Sequence, residues 1–425
     1  MKILVIGSGG REHALCWAIA KSPLATKLYC APGNAGISRD AECVAIDVMD
    51  FDGICQFSKA NSIDFVVIGP DNPIAGGLGD RLAAAGIKHF GPTKAASELE
   101  WSKGFTKDLC HAEGIPTAGY KRFSNAEDAK AYASDHPLPL VIKADGLALG
   151  KGVIIASTRA EASAAIDSMF SGAFGASSNS VVIEEFLEGE EVSYFVLSDG
   201  KHVMAFGAAQ DHKRVGDGDV GPNTGGMGAY SPAGALTPAL EKIVMEQIIH
   251  PTIRGMQARG RTYRGVLFAG LMLTASGPKL IEYNCRFGDP ECQVQMLRLK
   301  SDLLLLLLAV ADENLNNVDA RFADAAALTV VMAAKGYPEA PQKGTVIKGV
   351  EAAARLEGVQ VFHAGTKMTD GQLTANGGRV LNITAQGKTV AEAQRRAYQA
   401  VDLIDWSGGF CRRDIGWRAI AREPE

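Results

Sequence analysis

A multidomain protein of mixed class is what the sequence predicts: an N-terminal parallel α/β domain, an α+β middle and a small C-terminal α+β domain. Three observations predict it. At 425 residues the chain has room for several domains of about 150 residues, each able to bury a core without disulfide or metal staples. Across residues 3–92, short apolar or β-branched runs alternate with helix-like stretches, the rhythm of a parallel sheet with crossover helices. Further on, strands follow one another across connections too short for a crossover helix, so they pair antiparallel.

In the N-terminal part, strands are expected over 3–6, 27–31, 44–46, 65–68 and 89–90, and Leu15, Ala18 and Ile19 share one face of the first helix. Near Ile115-Pro116 the pattern changes. Strands over 140–143 and 153–156 are separated only by Ala144 to Gly152; strands over 181–185 and 192–197 follow. Asp199-Gly200 offers a type I′ turn into a strand over 202–207. A loop rich in Gly, Asp and Asn runs over 211–230, a helix covers 238–258, and strands over 266–274 and 279–284 flank the Ser276-Gly277 turn. Beyond Asp324, strands over 328–333, 345–347, 359–363 and 379–384 precede a helix over 390–401, with no clear catalytic constellation among them. Boundaries near 100 and 325 divide the chain into 1–100, 101–325 and 326–425.

Composition excludes several classes. Charged residues make up 21% and the net charge is −5, unlike a disordered chain or a dedicated nucleic-acid surface. The eight cysteines contain no C-x-x-C pair and mostly lie in apolar runs, as buried free thiols do. The aliphatic run 303–311 falls far short of the roughly 20 residues of a membrane span and reads as a buried helix. Gly7 to His13 interrupts the apolar start before a signal-peptide core can form. No membrane partner and a reducing cytoplasmic location are therefore expected.

Glycines are abundant, 48 in all, and their clusters mark backbone that comes close to something. Gly7-Ser8-Gly9-Gly10 follows a strand and opens a helix, so N–H groups are offered to an anion such as phosphate; the alternative is a tight turn with no ligand. Glu12 stands where a dinucleotide fingerprint needs glycine, which weakens a Rossmann dehydrogenase reading. Lys143 to Gly152 is not a Walker A loop, because Gly146 and Gly150 are spaced one residue short and Gly152 lacks the metal-binding hydroxyl. A glycine-rich hairpin carrying Lys143 and Lys151 is nonetheless suited to closing over polyphosphate. Along 281–286, Glu282 and Asn284 share one strand face, and two oxygen ligands side by side suit Mg²⁺. Arg286, next on the polar side, can grip a carboxylate with two parallel hydrogen bonds. By composition alone Glu184 to Glu191 is a solvated acidic turn. The polar loop holding Asp211 to Arg214 and Asn223 to Gly228 reads as a substrate lid.

Taken together, these residues resemble the glycinamide ribonucleotide synthetase family of the ATP-grasp superfamily. The resemblance runs along the whole chain, carried by GSGGREHAL from Gly7, APGNAG from Ala31, SKGFTK from Ser102 and KADGLALGKGV from Lys143. It continues in VIEEFLEGEEVS from Val182, QDHKRVGDGDVGPNTGGMGAYSP from Gln210, IEYNCRFGDPE from Ile281 and NGGRVL from Asn376. It implies an ATP-grasp core with a flap subdomain at about 117–190 and an ATP-dependent carboxylate–amine ligase. ATP, glycine and 5-phosphoribosylamine are the implied small-molecule substrates and Mg²⁺ or Mn²⁺ the implied cofactor. Oligomeric state is left open, a monomer being compatible. The rivals are another ATP-grasp ligase and a non-catalytic nucleotide-binding module.

Residue by residue, the resemblance implies that Lys103 and Lys143 contact ATP phosphates under a flap of Gly150, Lys151 and Gly152. Glu184, with the backbone of Glu185, Phe186 and Leu187, would meet adenine, and Glu191 the ribose. Glu282 and Asn284 would hold the metal, Arg286 would orient the acyl substrate, and Asp211 with Lys213 would line the acceptor pocket. Gly9 and Gly10, with Asn223, Thr224, Gly225 and Gly226, would place the phosphoribosyl part. The chain departs from the family pattern at Trp101 and Gly104, at Asp71 in place of a glutamate, and in having no carboxylate in Ala269-Gly270-Leu271-Met272.

Overall fold

The computed structural model describes residues 1–146, 152–171 and 180–423. Its N-terminal sheet is parallel throughout, in the order Glu42–Cys43, Lys27–Pro32, Lys2–Gly7, Phe65–Ile68, His89–Phe90. The central strand Lys2–Gly7 is buried on both faces, which is why it reads as an unbroken apolar run. Alternation sends Ile3 and Val5 into one core and Leu4 and Ile6 into another. The Ile3 core also holds Phe206, Phe268, Leu304 and Leu307 from the middle of the chain. That shared core fixes the Gly7-to-Gly10 turn against the central region. The second strand pairing falls at Glu42–Cys43 and not over 44–46, because the backbone leaves the sheet once Val44 has donated to Cys30.

Two antiparallel sheets make up the rest of the scaffold. The smaller runs Tyr120–Phe123, Val181–Glu185, Leu140–Ala144, Val153–Ala156 and is backed by helices Ala126–Asp135 and Arg159–Phe170. These share a compact core of their own with Ile142, Ile166 and Ile183. The larger sheet begins Gly277–Asn284, Arg264–Thr274, Glu190–Asp199, Val203–Asp211, Gly228–Ser231. It continues without a break into Ala326–Ala334, Arg379–Gly387 and Val359–His363. C-terminal strands therefore extend the sheet that carries the IEYN segment.

Four local expectations are corrected. The hairpin after Asp199 forms, but Gly200 is the turn residue at positive φ, so the turn is not type I′; the Asp199 carboxylate instead accepts from the N–H groups of Lys201 and His202. Residues 345–347 make one isolated bridge, Val346 to Thr374, and no strand. The 211–230 loop is partly built: Arg214–Gly216 and Val220–Asn223 form a two-stranded ribbon and Gly228–Ser231 joins the large sheet. Cys43 is exposed and Cys411 half-buried, while the other six thiols are buried. The helix over 238–258 is present with a π-helical turn at Met245–Ile249, just before Pro251, whose missing N–H it accommodates. The 303–311 helix is mostly buried, with Leu305 exposed and Leu308 and Ala311 half-buried, and Asp302 caps it. Among the described residues no helix is long and apolar enough to cross a membrane.

Candidate active site

The smaller sheet meets the edge strand of the larger one, and their polar residues converge. Lys143 interrupts the apolar strand Leu140–Ala144 because its ammonium has a buried partner: it lies 3.0 Å from Glu184 on the adjacent strand Val181–Glu185, and 3.4 Å from the carbonyl of Ile281. The second Glu184 oxygen is 2.9 Å from Lys107, and all three side chains are almost wholly buried. Lys103 opens the helix Lys103–Glu113, capped by Ser102, and donates to the Gly146 carbonyl at 3.1 Å. Gly104 is explained by Arg122: a Cβ there would sit 2.4 Å from its guanidinium carbon, which pairs with Asp145 at 2.8 Å.

Glu282 lies across this meeting point. Burial pushes its carboxyl up, but the charges of Lys213, Lys143, Lys103 and Arg286 prevail and hold it below the usual carboxylate range. Among the described residues it makes no hydrogen bond and no close ion pair. A recessed, ionised carboxylate ringed by cations yet bonded to none fits a ligand for a metal shared with polyphosphate. Asn284, on the same strand face, accepts from Arg286 at 2.9 Å. Arg286 in turn lies 3.3 Å from Glu100, whose other oxygen accepts from the Cys285 N–H at 2.8 Å. No cluster of three or more His, Cys, Asp or Glu suited to a metal occurs among the described residues. Glu282 and Asn284 together could hold Mg²⁺, which keeps waters and takes phosphate oxygens.

Glu191 and Lys213 form an ion pair. Burial pulls Lys213 down, but Glu191 and Glu282 outweigh it and hold the ammonium above its ordinary range. Asp211 shows the opposite balance: burial and the Glu291 carboxylate push it well above the usual carboxylate range, against Lys213 and Arg379. Glu185 is exposed and accepts from Gly119 N and from Lys279, each at 3.1 Å. Phe186 is exposed and Leu187 half-buried. Gly152 is buried, whereas Gly150 and Lys151 lie outside the described residues.

A second group surrounds a cavity of about 320 Å³ lined by Ser8, Gly9, Asn34, Asp289, Asn376 and Arg379. Here Glu12 turns back to accept from Gly9 N at 2.7 Å, so the residue that breaks the dinucleotide fingerprint occupies one N–H an anion would use. Gly10 is held tight, since a Cβ would reach 2.3 Å from the Asn382 amide nitrogen. Arg379 donates to the carbonyls of Gly225 and Asp289 and lies 3.4 Å from the Asp289 carboxylate. Gly226 is at positive φ, and a side chain there would strike Asp211. Thr224 donates to the Lys213 carbonyl at 2.9 Å, while Asn223 is exposed at the end of the ribbon opposite Arg214. A further cavity beside Trp17 and Lys300 shares no residue with either group.

Sequence reasoning missed Lys107, Glu100, Asp289 and Arg379. Signals were present for three: Lys107 is the second lysine of SKGFTK, Asp289 stands in FGDPE and Arg379 in NGGRVL. His212, between Asp211 and Lys213, is buried; its Nε2 accepts from Gly416 N at 3.0 Å, so Nδ1 carries the proton and donates to the Gly228 carbonyl at 3.3 Å. Burial and the Arg412 charge push its pKa from 6.5 down to about 4. A neutral folded state of this kind stabilises the protein fully above pH 6.5, and that contribution is lost as pH falls through about 4. His212→Gln is therefore expected to flatten the fall in melting temperature between pH of about 7 and about 5; an unchanged slope would count against it.

An antiparallel lobe bearing lysines that closes on a strand bearing a lone carboxylate defines an ATP-grasp enzyme. Residues 1–100, 101–292 and 327–418 match, in turn, the N domain, the ATP-grasp (A) domain and the C domain of phosphoribosylglycinamide synthetase. The chain belongs to the phosphoribosylglycinamide synthetase family and is an ATP-dependent ligase. It is 61% identical over 423 residues to a phosphoribosylamine–glycine ligase of Mesorhizobium japonicum, covering 100% of this chain and 99% of that one. With the enzyme of that name from Escherichia coli K12 it shares 53% over 428 residues, with full coverage of both. The phosphoribosylamine–glycine ligase crystal structure from Thermotoga maritima superposes with a TM-score of 0.85 at 33% identity, covering 98% of this chain and 100% of that one. A biotin carboxylase from Campylobacter jejuni has the same fold at 15% identity, with a TM-score of 0.71 over 96% of this chain and 92% of its own.

Proposed function

We propose that the cleft ligates glycine to 5-phosphoribosylamine at the expense of ATP, giving glycinamide ribonucleotide, ADP and phosphate through a glycyl phosphate. The observation that carries this reading is the convergence of Lys143, Lys103 and Lys213 on Glu282, from sequence positions far apart. In phosphoryl transfer there is little for a protein to do beyond placing the reactants and balancing charge, and these are groups for that work. Lys103 and Lys143 would hold the ATP phosphates; Glu184, with the 185–187 backbone, would face adenine, and Glu191 the ribose. Glu282 and Asn284 would hold Mg²⁺ or Mn²⁺, which when bound neutralises charge on the phosphate oxygens.

Arg286 would grip the glycine carboxylate and direct one oxygen at the terminal phosphorus. The acceptor would occupy the cavity beside Gly9, Asp289 and Arg379, with the 223–226 segment forming its near wall. When its nitrogen attacks the acyl carbon, phosphate leaves and the nitrogen gives up a proton. Asp211, which lies against Gly226 on that wall, would take that proton when ionised. The reading divides the chain at about 100 and 325, with 117–190 as the flap, supported by the separate core of the smaller sheet.

Purified protein incubated with ATP, glycine and phosphoribosylamine, together and with each omitted, tests this reading. ADP release that needs both glycine and the amine is expected; ATP turnover indifferent to glycine would overturn it. Arg286→Lys should raise the KM for glycine by about tenfold with a smaller change in kcat, because an ammonium cannot reproduce the bidentate fork. An unchanged glycine KM would remove Arg286 from that role.

A further inference from the structure

We propose that Lys107 is a positioning residue for the nucleotide, setting the charge that Lys143 presents to the phosphates. The inference rests on the assignment of Lys143 above and concerns a residue the reaction does not touch. Glu184 is shared between two ammonium groups, at 2.9 Å from Lys107 and 3.0 Å from Lys143. Side-chain exposure is 3% for Lys107, 4% for Lys143 and 4% for Glu184, so water screens none of them appreciably. One carboxylate between two cations leaves a net positive charge on the group, and Lys143 is the member next to Ile281 and the Glu282 strand.

Lys107 is fixed independently of the nucleotide. It donates to Thr117 Oγ1 at 2.7 Å, and Thr117 donates to the Leu280 carbonyl at 2.7 Å. The same strand therefore anchors Lys107 through Leu280 and receives Lys143 at Ile281. Removing the Lys107 charge would leave Glu184 and Lys143 as a closed neutral pair, cancelling the charge offered to polyphosphate. Removing the Glu184 charge as well would restore it.

The test is a double-mutant cycle in the full chain, read as nucleotide affinity by calorimetry. Lys107→Met should weaken ATP by at least about tenfold and AMP much less, because the effect acts on the added phosphate charge. Adding Glu184→Gln to Lys107→Met should bring the ratio of ATP to AMP affinity back to within about threefold of wild type, a ratio in which any change at the adenine contact of Glu184 cancels. ATP and AMP weakened equally by Lys107→Met, or a double variant no better than the single, would overturn the proposal. If Lys107→Met does not fold, the double variant decides alone: a near-wild-type ratio of ATP to AMP affinity supports the proposal and a fall of about tenfold in that ratio overturns it. Lys143→Met tests the underlying assignment separately: unchanged ATP affinity there would remove the assignment on which the proposal rests, whereas a loss there with Lys107→Met unchanged would overturn the role of Lys107 alone.

Discussion

Replacing Glu282 by alanine is expected to reduce kcat by about 10³-fold or more while the protein stays folded. The carboxylate faces Lys213, Lys143, Lys103 and Arg286 together. Without it the proposed metal loses its charged ligand, while Lys213, Lys143 and Arg286 keep Glu191, Glu184 and Glu100. No cavity opens in the apolar core, because Ile281 and Tyr283 on the neighbouring positions are untouched and Tyr283 keeps its bond to Thr252 at 2.5 Å. A modest loss of stability accompanies the change, since a carboxylate held below its ordinary pKa contributes stability at neutral pH, lost only as pH falls through that lowered value. Steady-state turnover with a thermal melt on the same sample checks the prediction. Full activity in a folded variant would mean that the metal ligand lies elsewhere.

Arg412→Ala is expected to cost about 3–5 kcal/mol of stability, since breaking a buried pair strands its partner charges. The Arg412 side chain is fully buried. It meets Asp219 at 2.9 Å, Asp414 at 2.8 Å and the Arg214 carbonyl at 3.0 Å, tying the C-terminal segment to the ribbon over 214–223. Gly218 N adds a bond to Asp414, and Arg413 N one to Asp217. Burial lowers the Arg412 pKa, but the bonds to Asp414 and Asp219 prevail and raise it; Asp219 is depressed in return, burial raising it less than Arg412 and Arg418 lower it. Because the ribbon leads directly into Lys213 and Thr224, a variant that survives purification should also lose turnover. Chemical denaturation measures the cost. A loss below about 1 kcal/mol, the scale of an exposed pair, would contradict the anchoring role.

The large features were legible because they rest on local chemistry. The parallel N-terminal sheet followed from apolar runs such as Ile3 to Ile6, and the Glu282/Asn284 pair followed from strand alternation. Pairing between distant segments was not legible. Nothing local in Lys143 announces that Glu184 and Lys107 will share a buried charge, and nothing in Asp211 to Tyr230 announces Arg412, far along the chain. The 44–46 and 345–347 runs looked like strands by composition, yet 44–46 leaves the sheet after Val44, and 345–347 meets residues 373–375 only through the single Val346–Thr374 bridge. Trp101 is placed without explanation: its indole Nε1 is buried and has no hydrogen-bond partner among the described residues.

The most direct test of the account is a crystal structure of the full chain with a nonhydrolysable ATP analogue, glycine and Mg²⁺. The account predicts the terminal phosphates between Lys143 and Lys103 on one side and Glu282 with Asn284 on the other, with the glycine carboxylate on Arg286. A triphosphate bound away from Glu282, or a metal held by other residues, would contradict it.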